Sequence, residues 1–295
     1  MGNMQNLWPR MRPLAQISLS LVSIFWVVHV LKKVDWSITR QSLSNISAAL
    51  LTACFLLVGL IYFTRLFRLR YWVQRLSGRM LSIKEWTGLY LKSVAFGSIT
   101  PARVGDFSRI ALLTRTGLSL VLRGKVTFHD KLADFLYIPI GICLTSSIVG
   151  EKLNISSLLI FTGGMLSLVV YLLLAYWFAR FLGLKALLLG WAITIGGLCL
   201  FILSNTFLFW SVGINLTMLE VAAITLSVGV IVSLPISVGG IGVREGSLIC
   251  LLGLWGIQPE ATPPVLLLEF ILNMVFPVVL FICWNVCINI KKMIA

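Results

Sequence analysis

Two stretches of this chain place charge beside backbone breakers inside apolar sequence. They are Ser98-Ile-Thr-Pro101-Ala-Arg103-Val-Gly105-Asp106-Phe-Ser-Arg109 and Ser233-Leu-Pro235-Ile-Ser-Val-Gly239-Gly240-Ile-Gly242-Val-Arg244-Glu245. Pro and Gly interrupt a helix, and a helix restarted near Asp106 or Val243 presents free backbone N–H groups and a positive dipole end. Gly105, Gly239, Gly240 and Gly242 let another group approach that backbone closely. Arg103, Arg109 and Arg244 add forked guanidinium donors, a geometry suited to phosphate. The combination fits an anionic headgroup. The competing reading is that the breakers only kink the helices and the arginines snorkel to interfacial water, with Arg244 the least exposed of the three and the strongest candidate for function.

The carboxylates Asp106, Asp130, Asp134, Glu245 and Glu269 lie in or beside apolar segments, where a lone charge is costly, so each is expected to pair or to face water. Arg103/Asp106, Lys131/Asp134 and Arg244/Glu245 are the local pairs available. Glu269 has no basic neighbour in its own span, and Arg244 is its expected partner across helices. Other chemistry has little raw material. Two histidines, His29 and His129, do not make a metal site or a Ser/His/Asp triad and are read as interfacial or hydrogen-bonded, and six cysteines in apolar stretches are read as packing residues. No catalytic residue, metal or cofactor is expected.

The elements that must position these residues cross a membrane. Of 295 residues 59% are hydrophobic and only 12% charged, and the mean hydropathy is +0.99, which excludes an ordinary soluble domain. The net charge of +14 is then a matter of topology and anionic lipid before nucleic acid, which is not an expected partner. A bilayer core of roughly 30 Å needs about 20 apolar residues per helix. Full spans are expected at 14–31, 45–64, 134–150, 155–179, 186–210 and 264–290, with interrupted segments at 86–113 and 218–256. The fold class is an all-α polytopic membrane protein, one integral membrane domain over 1–295.

Arg10 and Arg12 before the first apolar run read as the flank of a transmembrane helix, not of a cleaved signal peptide. With the N-terminus cytoplasmic, most basic residues of the loops fall inside, Arg65, Arg68, Arg70, Arg75, Arg115, Arg123 and Lys291 among them, and both termini are cytoplasmic. The balance requires each interrupted segment to return to the side it entered, as a re-entrant hairpin or as a pair of crossings. The basic stretch 65–84 is expected to lie along the anionic inner leaflet. Trp8, Trp36, Trp72, Trp86 and Trp255 fall near helix ends, where an aromatic belt forms.

Self-comparison locates the site. An offset of 135 residues pairs Ser82 with Thr217, Glu85 with Glu220, Ser98 with Ser233, Arg109 with Arg244 and Asp134 with Glu269; at 134 the breaks align, Pro101-x-x-Val104-Gly105 on Pro235-x-x-Val238-Gly239. Ser82-x-x-Glu85 and Thr217-x-x-Glu220 each have the form of a capping box. Three spans lie between the two starts, so the repeat, with halves near 45–150 and 186–290, is inverted. Interrupted segments at matching places of inverted halves point to a transporter's substrate site between them.

At these breaks the chain resembles the transmembrane, flippase-like domain of lysylphosphatidylglycerol synthases and its stand-alone relatives. The likeness rests on Pro101-Ala-Arg103-Val-Gly105-Asp106-Phe-Ser-Arg109, similar to the family's P-x-R-x-G-[DE]-x-x-R, on Asp130-x-x-x-Asp134, and most specifically on Leu234-Pro235-Ile-Ser-Val-Gly239-Gly240-Ile-Gly242-Val-Arg244-Glu245-Gly246. The resemblance implies lipid handling: the family's best-known members move an aminoacylated phospholipid between leaflets, and relatives are associated with polyprenyl-linked sugars or hopanoids. Asp130 stands where the family commonly has Glu, which bears on the headgroup. No soluble aminoacyl-transferase domain is read in the chain, so that activity is not carried over. The expectation is a lipid translocase of a prokaryotic inner membrane, taking an anionic or zwitterionic headgroup. The alternatives are an intramembrane enzyme acting on lipid-linked phosphates, with Asp130, Asp134 or Glu245 as acid or base, and an accessory subunit of a membrane glycosyltransferase or lipid-modifying enzyme.

Overall fold

The computed structural model describes residues 46–77, 81–100, 105–233 and 243–294, with Ser37, Arg40 and Ser44 as isolated positions. The expected first span, 14–31, lies outside the described residues, as do Arg103, Gly239, Gly240 and Gly242. All regular structure among the described residues is helical, and five helical segments are long and apolar enough to cross a membrane. The chain is an all-α polytopic membrane protein.

The first described helix, α1, covers Ala48–Ser77. It runs well past the expected end at residue 64, because no breaker occurs between Gly59 and Gly78 and its basic residues find partners on other helices. The expectation that Arg65 and Arg68 lie along the leaflet surface is therefore corrected: both are on a helix, and Arg68 is 1% exposed. Helix α2, Ile83–Ile99, starts at the expected capping box, with Ser82 Oγ accepting from the Glu85 amide at 3.3 Å and Glu85 Oε2 accepting from the Ser82 amide at 2.9 Å. After the first break, a short 3₁₀ turn at Gly105–Phe107 leads into α3, Ser108–Leu112, which packs back against α2.

Helices α4, Leu120–Asp134, and α5, Tyr137–Leu153, form one bent crossing. The bend follows from Pro139, which has no N–H to give Phe135 and whose ring would strike that carbonyl in a continuous helix. Helix α6, Ser157–Ala179, turns Leu158, Leu166, Leu173 and Trp177 outward, each more than 60% exposed, as a lipid-facing helix does. Helix α7 spans Leu184–Ser211 and α8 Met218–Ser233. Thr217 and Glu220 at the start of α8 repeat the first capping box, with the amide bonds again at 2.9 and 3.3 Å. Past the second break, α9, Val243–Leu254, packs against α8. The last crossing is α10, Pro263–Phe270, a π-helical turn at Ile271–Val275, and α11, Phe276–Ile294. Pro277 in α11 cannot donate to Asn273, and the widened turn lets the Phe276 amide reach Ile271 instead.

The two long helices that the sequence repeat pairs lie side by side. Helices α1 and α7 pack along their length, and they run antiparallel: the Ser47 amide donates to Ser211 O at 3.1 Å, Cys54 sits 3.1 Å from Ser204 Oγ, and Trp72 Nε1 donates to Ala186 O at 3.0 Å. A Cβ on Gly190 would lie 2.2 Å from Trp72, so only glycine admits the indole there. Trp72 and Trp86 are fully buried, not members of an interfacial belt; the extension of α1 and the turn of α2 carry them into the core. Helices α2 and α8, at about 26 and 24 Å, fall short of a roughly 30 Å hydrocarbon core. The short helices α3 and α9 pack against them.

Candidate functional site

One face of α4 carries Asp130 and Asp134, a helical turn apart, with Lys131 beside them. Arg68 of α1 reaches both acids: Nε donates to Asp130 Oδ1 at 2.9 Å and Nη2 to Asp134 Oδ1 at 2.7 Å. Its remaining donors go to the Asp130 carbonyl and to Thr194 Oγ1 on α7, both at 2.9 Å. The first break swings α3 down so that Arg109 pairs with the other oxygen of Asp130 and donates from Nε to Ser93 Oγ at 2.9 Å. Asp106, in the turn before α3, pairs with Lys131 and stands 3.7 Å from Arg109. Arg65 approaches Asp134 at 3.7 Å, and Lys131 does so at 3.5 Å, one of the expected local pairs.

This network is sealed. Arg68, Asp106, Arg109 and Asp130 are each 2% exposed or less, and the guanidinium of Arg109 lies 5.0 Å over the Tyr90 ring. Three acids against four cations leave the group near neutral, and each buried charge has an opposite charge beside it, which burial in a membrane demands. Asp106, Arg109 and Asp130, candidate site residues in the sequence, thus hold α1, α3 and α4 together and do not line the cavity described next. Gly105 likewise gives its amide to Thr100 Oγ1 at 2.7 Å. His129 is not interfacial; it is fully buried against Trp72, ring centroids 4.6 Å apart. Among the described residues no cluster of His, Cys, Asp and Glu forms a metal site.

Above the network lies a cavity of about 200 Å³ between the two halves of the repeat. The first half contributes Arg65, Arg68 and Asp134, and the second contributes Arg244 and Glu269. Asp134 and Glu269, aligned by the repeat, line one cavity, with Arg244 from the start of α9, the partner expected for Glu269, in the same lining. Arg244 and Glu245 are the charges acting on Glu269, and Glu269 forms no ion pair among the described residues. Sequence reasoning missed Arg65 and Arg68, and also Asn205 on α7 and Asn273, whose Nδ2 donates to Glu269 O at 2.9 Å from the π turn. The signal available for the asparagines was an amide side chain inside a long apolar run, where it needs a partner. On α7 the lining runs from Ile193 to Asn205, the middle of a helix about 42 Å long, which puts the cavity near mid-depth of the bilayer.

The fold and the site define an all-α polytopic membrane protein with a polar, charged cavity among its helices. Within that class, the profile of the lysylphosphatidylglycerol synthase TM region matches residues 14–185, and the chain belongs to that family. The matched residues take in the first half of the repeat and α6, and stop where α7 begins. Among curated proteins none matches the chain.

Proposed function

We propose that the protein is a lipid translocase, which takes a phosphate-bearing, anionic or zwitterionic headgroup into the cavity between the two halves while the lipid's tails stay in the bilayer. The single observation that carries this reading is the convergence of Asp134 and Glu269, repeat equivalents from opposite halves, on one cavity with Arg244. Its volume suits a headgroup and not acyl chains, being below the roughly 300 Å³ at which drug-sized ligand pockets begin. Arg244 supplies the fork for the phosphate, Glu269, Asn205 and Asn273 supply acceptors and donors for the rest of the headgroup, and rocking of the halves exposes the cavity to alternate leaflets.

In this reading the protein is not an enzyme, uses no cofactor, and sits in a prokaryotic inner membrane with both termini cytoplasmic. The test is headgroup-resolved lipid translocation in proteoliposomes, with the wild type beside Arg244→Ala and Glu269→Gln. Transport by the wild type and its loss in both folded variants is the expected result. No transport of any lipid by folded wild type would overturn the reading and favour an accessory subunit of a lipid-modifying enzyme.

A further inference from the structure

A second concavity lies away from the central cavity, between the first turns of α2, the 3₁₀ turn Leu113–Thr116 after α3, and the far end of α11. It is a groove of about 820 Å³. Lys84, Gly88 and Lys92 follow at i, i+4 and i+8 along one face of α2 and line it, and Arg115 faces them from the 3₁₀ turn. None of the three cations forms an ion pair among the described residues. The acid on the wall, Glu85, is committed to its capping box with Ser82. The opposite wall is apolar and aromatic, with Phe281, Trp284 and Ile288 of α11. Gly88 lets Trp284 come close, since a Cβ there would lie 3.0 Å from Trp284 Nε1, and that indole N–H has no acceptor among the described residues.

Lys84 and Arg115 stand at the mouth, where α2 begins, and are exposed. Lys92 stands about 12 Å further along the helix, partly buried, over the Phe96 ring at 5.9 Å. A cation at that depth with no acid beside it calls for an anion or a path to water. The groove thus carries three cations against one acid, Glu85, with an apolar and aromatic stretch along α11. We infer that this groove holds an anionic phospholipid of the leaflet in which α2 begins, its phosphate between Lys84, Lys92 and Arg115 and an acyl chain along Phe281 and Ile288. The site is separate from the central cavity and does not depend on translocation there.

The test is lipid binding by the full-length, delipidated protein in detergent, read by native mass spectrometry with phosphatidylglycerol, phosphatidylcholine or inorganic phosphate as the probe. Phosphatidylglycerol is expected to bind and phosphatidylcholine to bind far more weakly. Each cation near an anionic lipid contributes enough that K84Q/K92Q/R115Q weakens binding by about a hundredfold and R115Q alone by about fivefold. K84R/K92R/R115K keeps the charge and retains binding, and Arg115 is exposed, so R115Q reports on the site without disturbing the core. Arg244→Ala is expected to leave this binding intact, whatever it does to transport. Equal retention of the two lipids, or no loss in the charge-removed variants, overturns the inference. Loss of binding in Arg244→Ala would move the lipid to the central cavity, and full displacement by inorganic phosphate would replace it with a free anion; either also overturns it.

Discussion

Asp134 and Glu269, 135 residues apart in the chain and aligned by its sequence repeat, line one cavity. Their surroundings differ. Asp134 is held by Arg68 at 2.7 Å, with Lys131 and Arg65 further off, whereas Glu269 has only Asn273 on its own backbone carbonyl and Arg244 as its nearby cation. One half of the site is neutralised within the protein, and the other is left open to a ligand.

That difference separates stability from transport in the first half. Asp130→Ala leaves Arg68 and Arg109 buried without their shared acid, a change that costs about 3–5 kcal/mol when one member of a buried pair is removed. Asp134→Asn keeps the Asp130 bonds to Arg68 and touches a side chain 15% exposed. The expected result is a large fall in thermal stability, followed by fluorescence-detected size exclusion, for Asp130→Ala and a small one for Asp134→Asn. Equal losses would mean that Asp130 is not the centre of the network.

The α1–α7 seam makes a steric prediction. Gly190→Ala drives a Cβ to 2.2 Å from Trp72, and the ring cannot withdraw without losing its bond to Ala186 O. Overpacking of this kind costs about 1–3 kcal/mol. Gly59→Ala, on α1 with nothing within 4 Å of the new Cβ, is the matched control and is expected to be neutral or slightly stabilising. Melting curves of the two variants in one detergent decide it.

The antiparallel direction of the repeat equivalents is open to chemistry. Cys54 Sγ and Ser204 Oγ are 3.1 Å apart, so Ser204→Cys places two thiols within reach of the roughly 2.05 Å disulfide bond. Mild oxidation is expected to cross-link Ser204→Cys and not the wild type, seen after cleavage of the α5–α6 loop as two fragments that separate only on reduction. Fragments that separate without reductant would show that α1 and α7 are not paired in this register.

Local features of this architecture were readable in sequence, and features made by distant contacts were not. Both capping boxes need only a hydroxyl and a carboxylate three residues apart, so Ser82/Glu85 and Thr217/Glu220 announce their helices. The equivalence of Asp134 and Glu269 was legible in the repeat; their place in one cavity was not. Nor was the role of Arg68, because Arg65-Leu-Phe-Arg68-Leu-Arg70 reads equally as a snorkelling interface and as a helix face. What decides it is Asp130 and Asp134 on α4 and Thr194 on α7. The absence of any breaker from Gly59 to Gly78 was the one local sign that α1 continues. Arg109 was open to two readings for the same reason: a guanidinium suits a phosphate, and only the fold shows that Asp130 already pairs with it, as Lys131 does with Asp106.

The repeat also predicts that two equivalent arginines fail differently when removed. Arg109 and Arg244 align at an offset of 135, but at that offset Asp130 aligns with Val265, which is fully buried in an apolar cluster. The second half therefore has no fixed acid at the place where the first half locks its arginine, and Arg244 faces the cavity. Arg109→Ala strands Asp130 on one side and opens a space beside Tyr90, so it is expected to lower thermal stability sharply, by about 3–5 kcal/mol. Arg244→Ala removes no intramolecular ion pair among the described residues, so its stability is expected to change by less than about 1 kcal/mol while lipid transport is lost. Transport that survives Arg244→Ala in a folded protein would show that Arg244 is not needed to meet the headgroup.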